Sequence, residues 1–167
     1  MDVHVFPSGK LKFGDLEFRC AIGYRGVRND KYEDDGATPI GCFEFRRVLY
    51  RAERLDRPVT QLPITPIRRF DGWCDDPKAP EYNCNIRLPF HASHEELWRE
   101  DDLYNVIVVL GHNDRPPVPG LGSAIFLHVA KPDYSATDGC IALPQTDLVA
   151  ILSRCDFKNK LRVMPSN

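Results

Sequence analysis

The sequence has no apolar run long enough to cross a bilayer: the longest, Val106 to Leu110 and Ala124 to Ala130, fall far short of the roughly 20 residues a membrane helix needs. It has no surplus of positive charge either. The 22 Lys and Arg stand against 24 Asp and Glu, a net charge of -2, so the chain offers neither the basic face that nucleic acid selects nor the polybasic patch that an anionic membrane selects. Repeats, low-complexity tracts and composition shifts that would mark a linker are all missing, which predicts one domain over residues 1–167. The first residues, Met1 to Pro7, do not show the positive and then apolar pattern of a secretory leader. This predicts a cytoplasmic protein, or a periplasmic one if the natural chain carries a leader upstream.

Cysteine pairs at metal-binding spacing are also lacking. The six cysteines, Cys20, Cys42, Cys74, Cys84, Cys140 and Cys155, form no CxxC or CxxH pair, and the closest two, Cys74 and Cys84, are separated by a Pro- and Asp-rich stretch. In a reducing compartment their default state is the free thiol. Cys42 and Cys155 read as small packing residues. His91, His94 and Glu95 imitate a metal cluster in composition, but their order does not match helical H-E-x-x-H logic, and they read as surface residues at a helix start. No metal and no organic cofactor is expected.

What the chain does contain is 43% hydrophobic and 28% charged residues, the composition of a soluble globular domain. Its 14 prolines and 11 glycines interrupt short β-branched and aromatic runs, the pattern of many short strands and long loops. Strands are predicted at His4–Phe6, Leu11–Phe13, Glu17–Gly23, Gly41–Tyr50, Asn85–Leu88, Val106–Gly111, Ala124–Ala130, Gly139–Leu143 and Lys160–Met164. Two helices are predicted. One starts at a capping box, Ser93 to Glu96, and runs through Leu97 and Trp98; the other is capped by Thr146 and places Leu148, Ile151, Leu152 and Cys155 on one face. The expected fold class is mostly β: a curved, partly closed mixed sheet with short peripheral helices. The Pro-, Asp- and Arg-rich stretch from Arg57 to Tyr82 is longer than a simple turn, and such loops are usually functional.

Chemistry concentrates between Ala124 and Leu143. Alternation puts Ile125, Leu127 and Val129 on one face of a strand and Ala124, Phe126, His128 and Ala130 on the other. After a polar turn, Gly139 and Cys140 lead a second apolar run. Paired as an antiparallel hairpin, the two strands would set imidazole and thiol side by side. His128 would then take the thiol proton to give a thiolate at neutral pH, and the N–H groups of Gly139 and Cys140 would face a developing oxyanion.

Thr137, Asp138, Gly139, Cys140 and Ile141, following His128 on its strand, resemble the [ST]-x-G-C-hydrophobic motif of the L,D-transpeptidase catalytic domain, the YkuD-type cysteine enzymes of peptidoglycan. Upstream, Thr38, Pro39, Ile40, Gly41, Cys42 and Phe43 are similar to the T-P-x-G-x-F segment of that family, and two ordered motifs about a hundred residues apart are more specific than either alone. The segments Gly72–Pro77, Tyr82–Asn83, Gly111–Asp114 and Gly122–His128 extend the resemblance over nearly the whole chain. Departures are Asp138 where many members have a histidine, a shorter interval from His128 to Cys140, Val129 after the histidine, and Ala142 where Arg or Asn is common.

The resemblance implies that Cys140 attacks the carbonyl of an L-centre, typically diaminopimelate, whose amide leads to a terminal D-amino acid, with His128 as general base and Gly139 completing the motif. The implied partners are peptidoglycan stem peptides or muropeptides, and a carbapenem would form a covalent adduct at Cys140. Water as acceptor makes an L,D-carboxypeptidase of muropeptide recycling, the expected activity for a chain without a leader; an amine acceptor makes an L,D-transpeptidase. Substrate contacts are expected from Thr137, Tyr134, Asn113, Ser123, Trp73 and Asp75, with Asp138 touching substrate, orienting His128 or restraining the loop. The rival readings are an inactive peptide-binding module and a zinc protein.

Overall fold

A computed structural model describes residues 1–166. In chain order its strands are β1 (Val3–Phe6), β2 (Lys10–Phe13), β3 (Leu16–Arg19), β4 (Val27–Arg28), β5 (Thr38–Pro39), β6 (Gly41–Tyr50) and β7 (Ile64–Pro66). They continue as β8 (Asp71–Cys74), β9 (Asn85–Arg87), β10 (His94–Glu96), β11 (Val106–Leu110), β12 (Phe126–Val129) and β13 (Ile141–Leu143). Helix α1 (Gln145–Leu152) and strand β14 (Lys160–Val163) complete the chain.

The strand order β13-β12-β11-β6-β14-β1-β2-β3, with β7 added against β6, makes one mixed nine-stranded sheet. Its two edges meet. Just past β3, Ala21 exchanges both backbone hydrogen bonds with Ala142 of β13, at 2.8 and 2.9 Å, so the sheet nearly closes and little edge is left open. The fold is thus mostly β, a nearly closed mixed sheet with a single short helix among the described residues.

Strand β11 shows why this sequence folds this way. All five of its residues are buried, since Val106, Val108 and Leu110 enter a core inside the curved sheet while Ile107 and Val109 enter a second core on its outer face. The inner core also takes Val3, Val5, Leu11, Leu127 and Ile141, and is capped by Leu148, Ile151 and Leu152 of α1. Outside, a three-stranded sheet in the order β10-β8-β9 lays Trp73 on Phe126, ring centroids 5.1 Å apart, with Leu97 and Tyr104 alongside. Full burial of each such side chain contributes about 1.5–3 kcal/mol.

Three expectations are corrected. The capping box at Ser93 starts no helix: His94–Glu96 is strand β10, paired antiparallel with β8, because a single turn is a costly nucleus whereas an available strand satisfies its backbone at once. Helix α1 begins at Gln145 behind Pro144, not under a Thr146 cap, and no side chain caps it; the carbonyl of Pro144 accepts the Leu148 N–H at 3.0 Å. Finally, β12 and β13 pair in parallel rather than as a hairpin, in the register Leu127↔Ile141 and His128↔Ala142, so residues 130–140 cross over to bring the chain back.

Candidate active site

Cys140 sits one residue before β13, half-buried, at a point where four backbone segments converge. Its Sγ lies 3.1 Å from the Ala124 carbonyl, to which the thiol donates, and accepts the Phe126 N–H at 3.4 Å. Gly139 has φ +141, and a Cβ there would stand 2.8 Å from the Ala37 carbonyl oxygen. Only glycine fits, because the neighbouring backbone occupies the space, not because a substrate needs it. The Gly139 carbonyl accepts the Thr38 hydroxyl at 2.8 Å, and Thr38 Oγ1 in turn accepts the Gly23 N–H at 2.9 Å. The two motifs a hundred residues apart in sequence are therefore joined at this one hydroxyl.

Thr137 closes the turn from the other side. Its hydroxyl donates to the Cys140 carbonyl at 2.6 Å and accepts the Gly139 N–H at 3.1 Å. One of the two N–H groups expected to face an oxyanion is thus already engaged.

The parallel register puts His128 opposite Ala142, on the same sheet face as Cys140 two residues earlier. Both line a cavity of about 300 Å3, together with Glu95, Arg99, Tyr104 and Lys131. His128 Nδ1 is 2.9 Å from its neighbour's carbonyl, Val129 O; a carbonyl can only accept, so the proton sits on Nδ1 and Nε2 keeps its lone pair. Tyr104 packs edge-on to the ring at 5.4 Å, and His128 is only 6% exposed. Burial holds its pKa below the ordinary 6.5.

The thiol does not rest as a thiolate. Burial first, and the Glu95 carboxylate second, push Cys140 up to about 12. The Phe126 N–H and the Lys31 charge pull the other way but do not outweigh burial, so the thiol differs from the ionised nucleophile expected at neutral pH. The pair rests as thiol and neutral imidazole, a state suited to moving the proton only as a carbonyl is attacked.

A second cavity of about 380 Å3 opens on the same thiol and is lined by Lys31, Glu33, Asp75, Glu95, Ser123 and Asp138, among others. A thiol and an imidazole lining one cavity are the groups that cysteine acyl transfer requires. The sequence model of one protein family, the L,D-transpeptidase catalytic domain (YkuD), matches residues 5–163.

The chain belongs to the L,D-transpeptidase catalytic domain family.

Members are cysteine enzymes that modify peptidoglycan and act on its peptides. No curated protein and no solved structure matches the chain in the corresponding comparisons. Of the residues expected to serve this L,D-transpeptidase domain, Cys140, His128, Thr137, Asp138, Asp75 and Ser123 line one or both cavities. Three do not. Trp73 is a core residue whose Nε1 donates to Asn83 Oδ1 at 3.0 Å. Asn113 shapes its own loop, donating from Nδ2 to Val118 O and Gly122 O at 3.0 and 2.9 Å and accepting the Val118 N–H at 2.8 Å. Tyr134 stacks under the Arg19 guanidinium at 4.2 Å, beside a different surface cavity. Cys42 is exposed rather than packed, as is Cys84.

Sequence reasoning missed Glu33 and Glu95. Glu95, expected at the surface, accepts the Tyr104 hydroxyl at 2.8 Å and lines both cavities; burial raises its pKa above 4.5. Glu33 accepts the Tyr82 hydroxyl, and burial raises its pKa too. Only the pairing of β10 with β8, absent from any local pattern, brings Glu95 to the thiol. Asn83 belongs to a segment that carries the resemblance, but its part in the site was not foreseen. Its Oδ1 accepts the N–H groups of Trp73 and Ala124, each at 3.0 Å, and its Nδ2 donates to His112 O and Asn113 O at 3.0 and 2.8 Å. It thereby holds Ala124, whose φ of 52 is unusual for a residue with a Cβ, in the conformation that aims its carbonyl at Cys140. Among the described residues no group of three His, Cys, Asp or Glu side chains is placed to hold a metal ion, and no helix is long and apolar enough to cross a membrane.

Proposed function

We propose that this protein is a cytosolic L,D-carboxypeptidase that removes the terminal D-amino acid from peptidoglycan tetrapeptides during muropeptide recycling, through a thioester on Cys140. The observation that carries the reading is the pairing, at one cavity, of Cys140 with a His128 whose Nδ1 proton is tied to a carbonyl and whose Nε2 is basic. Sγ attacks the carbonyl of the diaminopimelate L-centre as its proton passes to Nε2. The tetrahedral adduct collapses with cleavage of the C–N bond, and Nε2–H protonates the departing amine. Water, deprotonated by the same nitrogen, then attacks the thioester, releasing the tripeptide carboxylate and restoring the thiol. The polar lining of the 300 Å3 cavity, with Lys131, Ser135 and Thr137, supports water as acceptor.

Two other readings have support. The family description favours transfer to an amine, an L,D-transpeptidase; the hydrogen bond that Sγ donates to Ala124 O, rather than to the imidazole, favours an inactive binding module. Incubation with a defined tetrapeptide muropeptide separates all three. Hydrolysis predicts free D-Ala and its loss in Cys140→Ala; dimers or D-amino-acid exchange without hydrolysis mean transferase; an inert protein that binds the peptide, and gains no mass from a carbapenem, is the module. Cell fractionation tests the cytosolic assignment.

A further inference from the structure

Between β10 and β11 the chain runs from Leu97 to Asn105 without regular secondary structure, yet it builds one side of the His128 environment. Arg99, Leu103 and Tyr104 line the 300 Å3 cavity, Tyr104 meets the imidazole edge-on, and the Leu103 carbonyl accepts the Val129 N–H at 2.9 Å. The next N–H, that of Ala130, donates to Leu143 O at 2.7 Å, so the residue whose carbonyl fixes Nδ1 is pinned from both sides. Carbonyls outside helix and sheet need partners of their own. Here two arginines of one turn supply them. Arg51 Nη1 donates to Arg99 O at 2.6 Å, Arg54 Nη2 to Glu100 O at 3.0 Å, and Arg54 Nη1 to Asp101 O at 2.6 Å and Asn105 Oδ1 at 2.9 Å. The turn is itself tied in place, since the Arg54 N–H donates to Arg51 O and the Arg51 N–H to Asn105 O, each at 2.9 Å.

We infer that Arg51 and Arg54 are positioning residues for His128, acting through the segment 99–105 whose carbonyls they hold. The inference rests on the reading of His128 as the base. Neither guanidinium lines the cavity. Arg51 is only 3% exposed, stacks on the Trp98 ring at 3.6 Å, and meets Glu53 Oε1 with Nε and Nη2 at 2.6 and 2.5 Å. A buried arginine adds little stability over an apolar side chain of its size; what it adds is direction, because a planar fork fixes the angle of each bond as well as its length. The ammonium of a lysine could keep one of these bonds but not their mutual orientation. Besides Tyr104 and Cys140, the cations Arg99 and Lys131 and the carboxylates Glu95 and Asp138 share the cavity with His128, and Asp101 acts on it as well. Releasing the segment would admit water to the ring and withdraw the Arg99 charge, and both changes favour the protonated imidazole.

The test titrates the histidines by NMR in the unmodified protein and in Arg51→Met, Arg54→Met and Arg51→Lys, with D-Ala release from a tetrapeptide measured on the same samples and thermal melts reporting folding. His128, identified by the signal lost in His128→Gln, should titrate below 6.5 in the unmodified protein and at about 6.5 in either Met variant. His112, beyond the far end of β11, should keep its own lowered value. In the Met variants kcat should fall roughly 100-fold with KM within about twofold, the loss that about 1 Å of misplacement causes, and Arg51→Lys should recover about tenfold of it. Where a Met variant does not fold, Arg51→Lys carries the comparison with a smaller shift in the same direction. His128 titrating as in the unmodified protein in every folded variant, whatever the Tm, or His112 shifting as far as His128, overturns the positioning role. A selective His128 shift in a protein that releases no D-Ala sustains that role and overturns the hydrolytic reading; the same shift with kcat unchanged sustains it and overturns His128 as the base.

Discussion

Alkylation of the free protein should show Cys140 as a slow thiol. Its pKa is pushed up to about 12 by burial and the Glu95 carboxylate, whereas an ordinary cysteine titrates near 8.5. At pH 7.5 that difference lowers the thiolate fraction by roughly 3000-fold. A more basic thiolate is also a stronger nucleophile, and a Brønsted slope of about 0.4–0.5 returns roughly 40-fold of it. The net expectation is iodoacetamide labelling about a hundredfold slower than at an ordinary exposed thiol. Cys42 and Cys84, both exposed, supply internal references within the same sample. Digestion after timed quenching and mass analysis of the three cysteine peptides gives the rates, and repeating the series from pH 7 to 10 should show Cys140 still accelerating about tenfold per unit, with no plateau. A Cys140 rate equal to that of Cys84, or a plateau below about pH 9, would refute the argument that burial and carboxylates, rather than the imidazole, set the resting state of this thiol. Under the proposed mechanism, labelling by an acylating stem-peptide analogue need not be slow, because a bound carbonyl draws the proton to His128 as the bond forms.

Two further predictions concern stability. Burial holds the pKa values of His112 and His128 below 6.5, so the unfolded chain binds more protons than the folded one in the window just below that value, and both residues make stability fall as pH falls through it. The raised carboxyls of Glu33 and Glu95 act oppositely, favouring the fold at low pH and losing that contribution as pH rises. The clean measurement is therefore a difference: between about pH 7 and 5, His112→Gln should lose less unfolding free energy in urea than the wild type, and parallel losses would count against the assignment. Asn83→Ala strands two N–H groups and two carbonyls at a residue 6% exposed and forces alanine to φ 56. Partial rescue by water leaves an expected cost of about 4 kcal/mol, a drop in Tm of roughly 8–16 °C; a drop under about 3 °C would mean that Asn83 does not hold this junction.

Much of the fold is legible in sequence where alternation is strong. Strands β6 and β11 match their predicted positions to within a residue at either end, because long β-branched and aromatic runs buried on one or both faces leave few other solutions. Among the short strands, β1, β2, β9 and β14 also match their predicted positions to within a residue at either end, but β8 and β10 do not. His94–Glu96 carries a helix-start signature and becomes a strand only because β8 lies beside it, and β8 itself falls in a Pro- and Asp-rich stretch that reads as loop. The same holds for substrate candidates chosen by residue type. Trp73, Asn113 and Tyr134 have the right chemistry, but one is packed, one ties its own turn and one stacks on Arg19.

From the sequence alone come the mostly β fold class, the two motifs that mark the family, and the residues proposed as nucleophile and base. Each is carried by residue type, order or alternation, which are local properties. Tertiary structure alone decides that β12 and β13 run parallel, that Thr38 ties its motif to Gly139, and that carboxylates from remote segments surround Cys140. Alternation states which face of a strand a side chain occupies; it does not state which strand lies beside it or in which direction. The charge state of a thiol and the sign of a cavity are sums over neighbours in space, so they exist only once the sheet has closed.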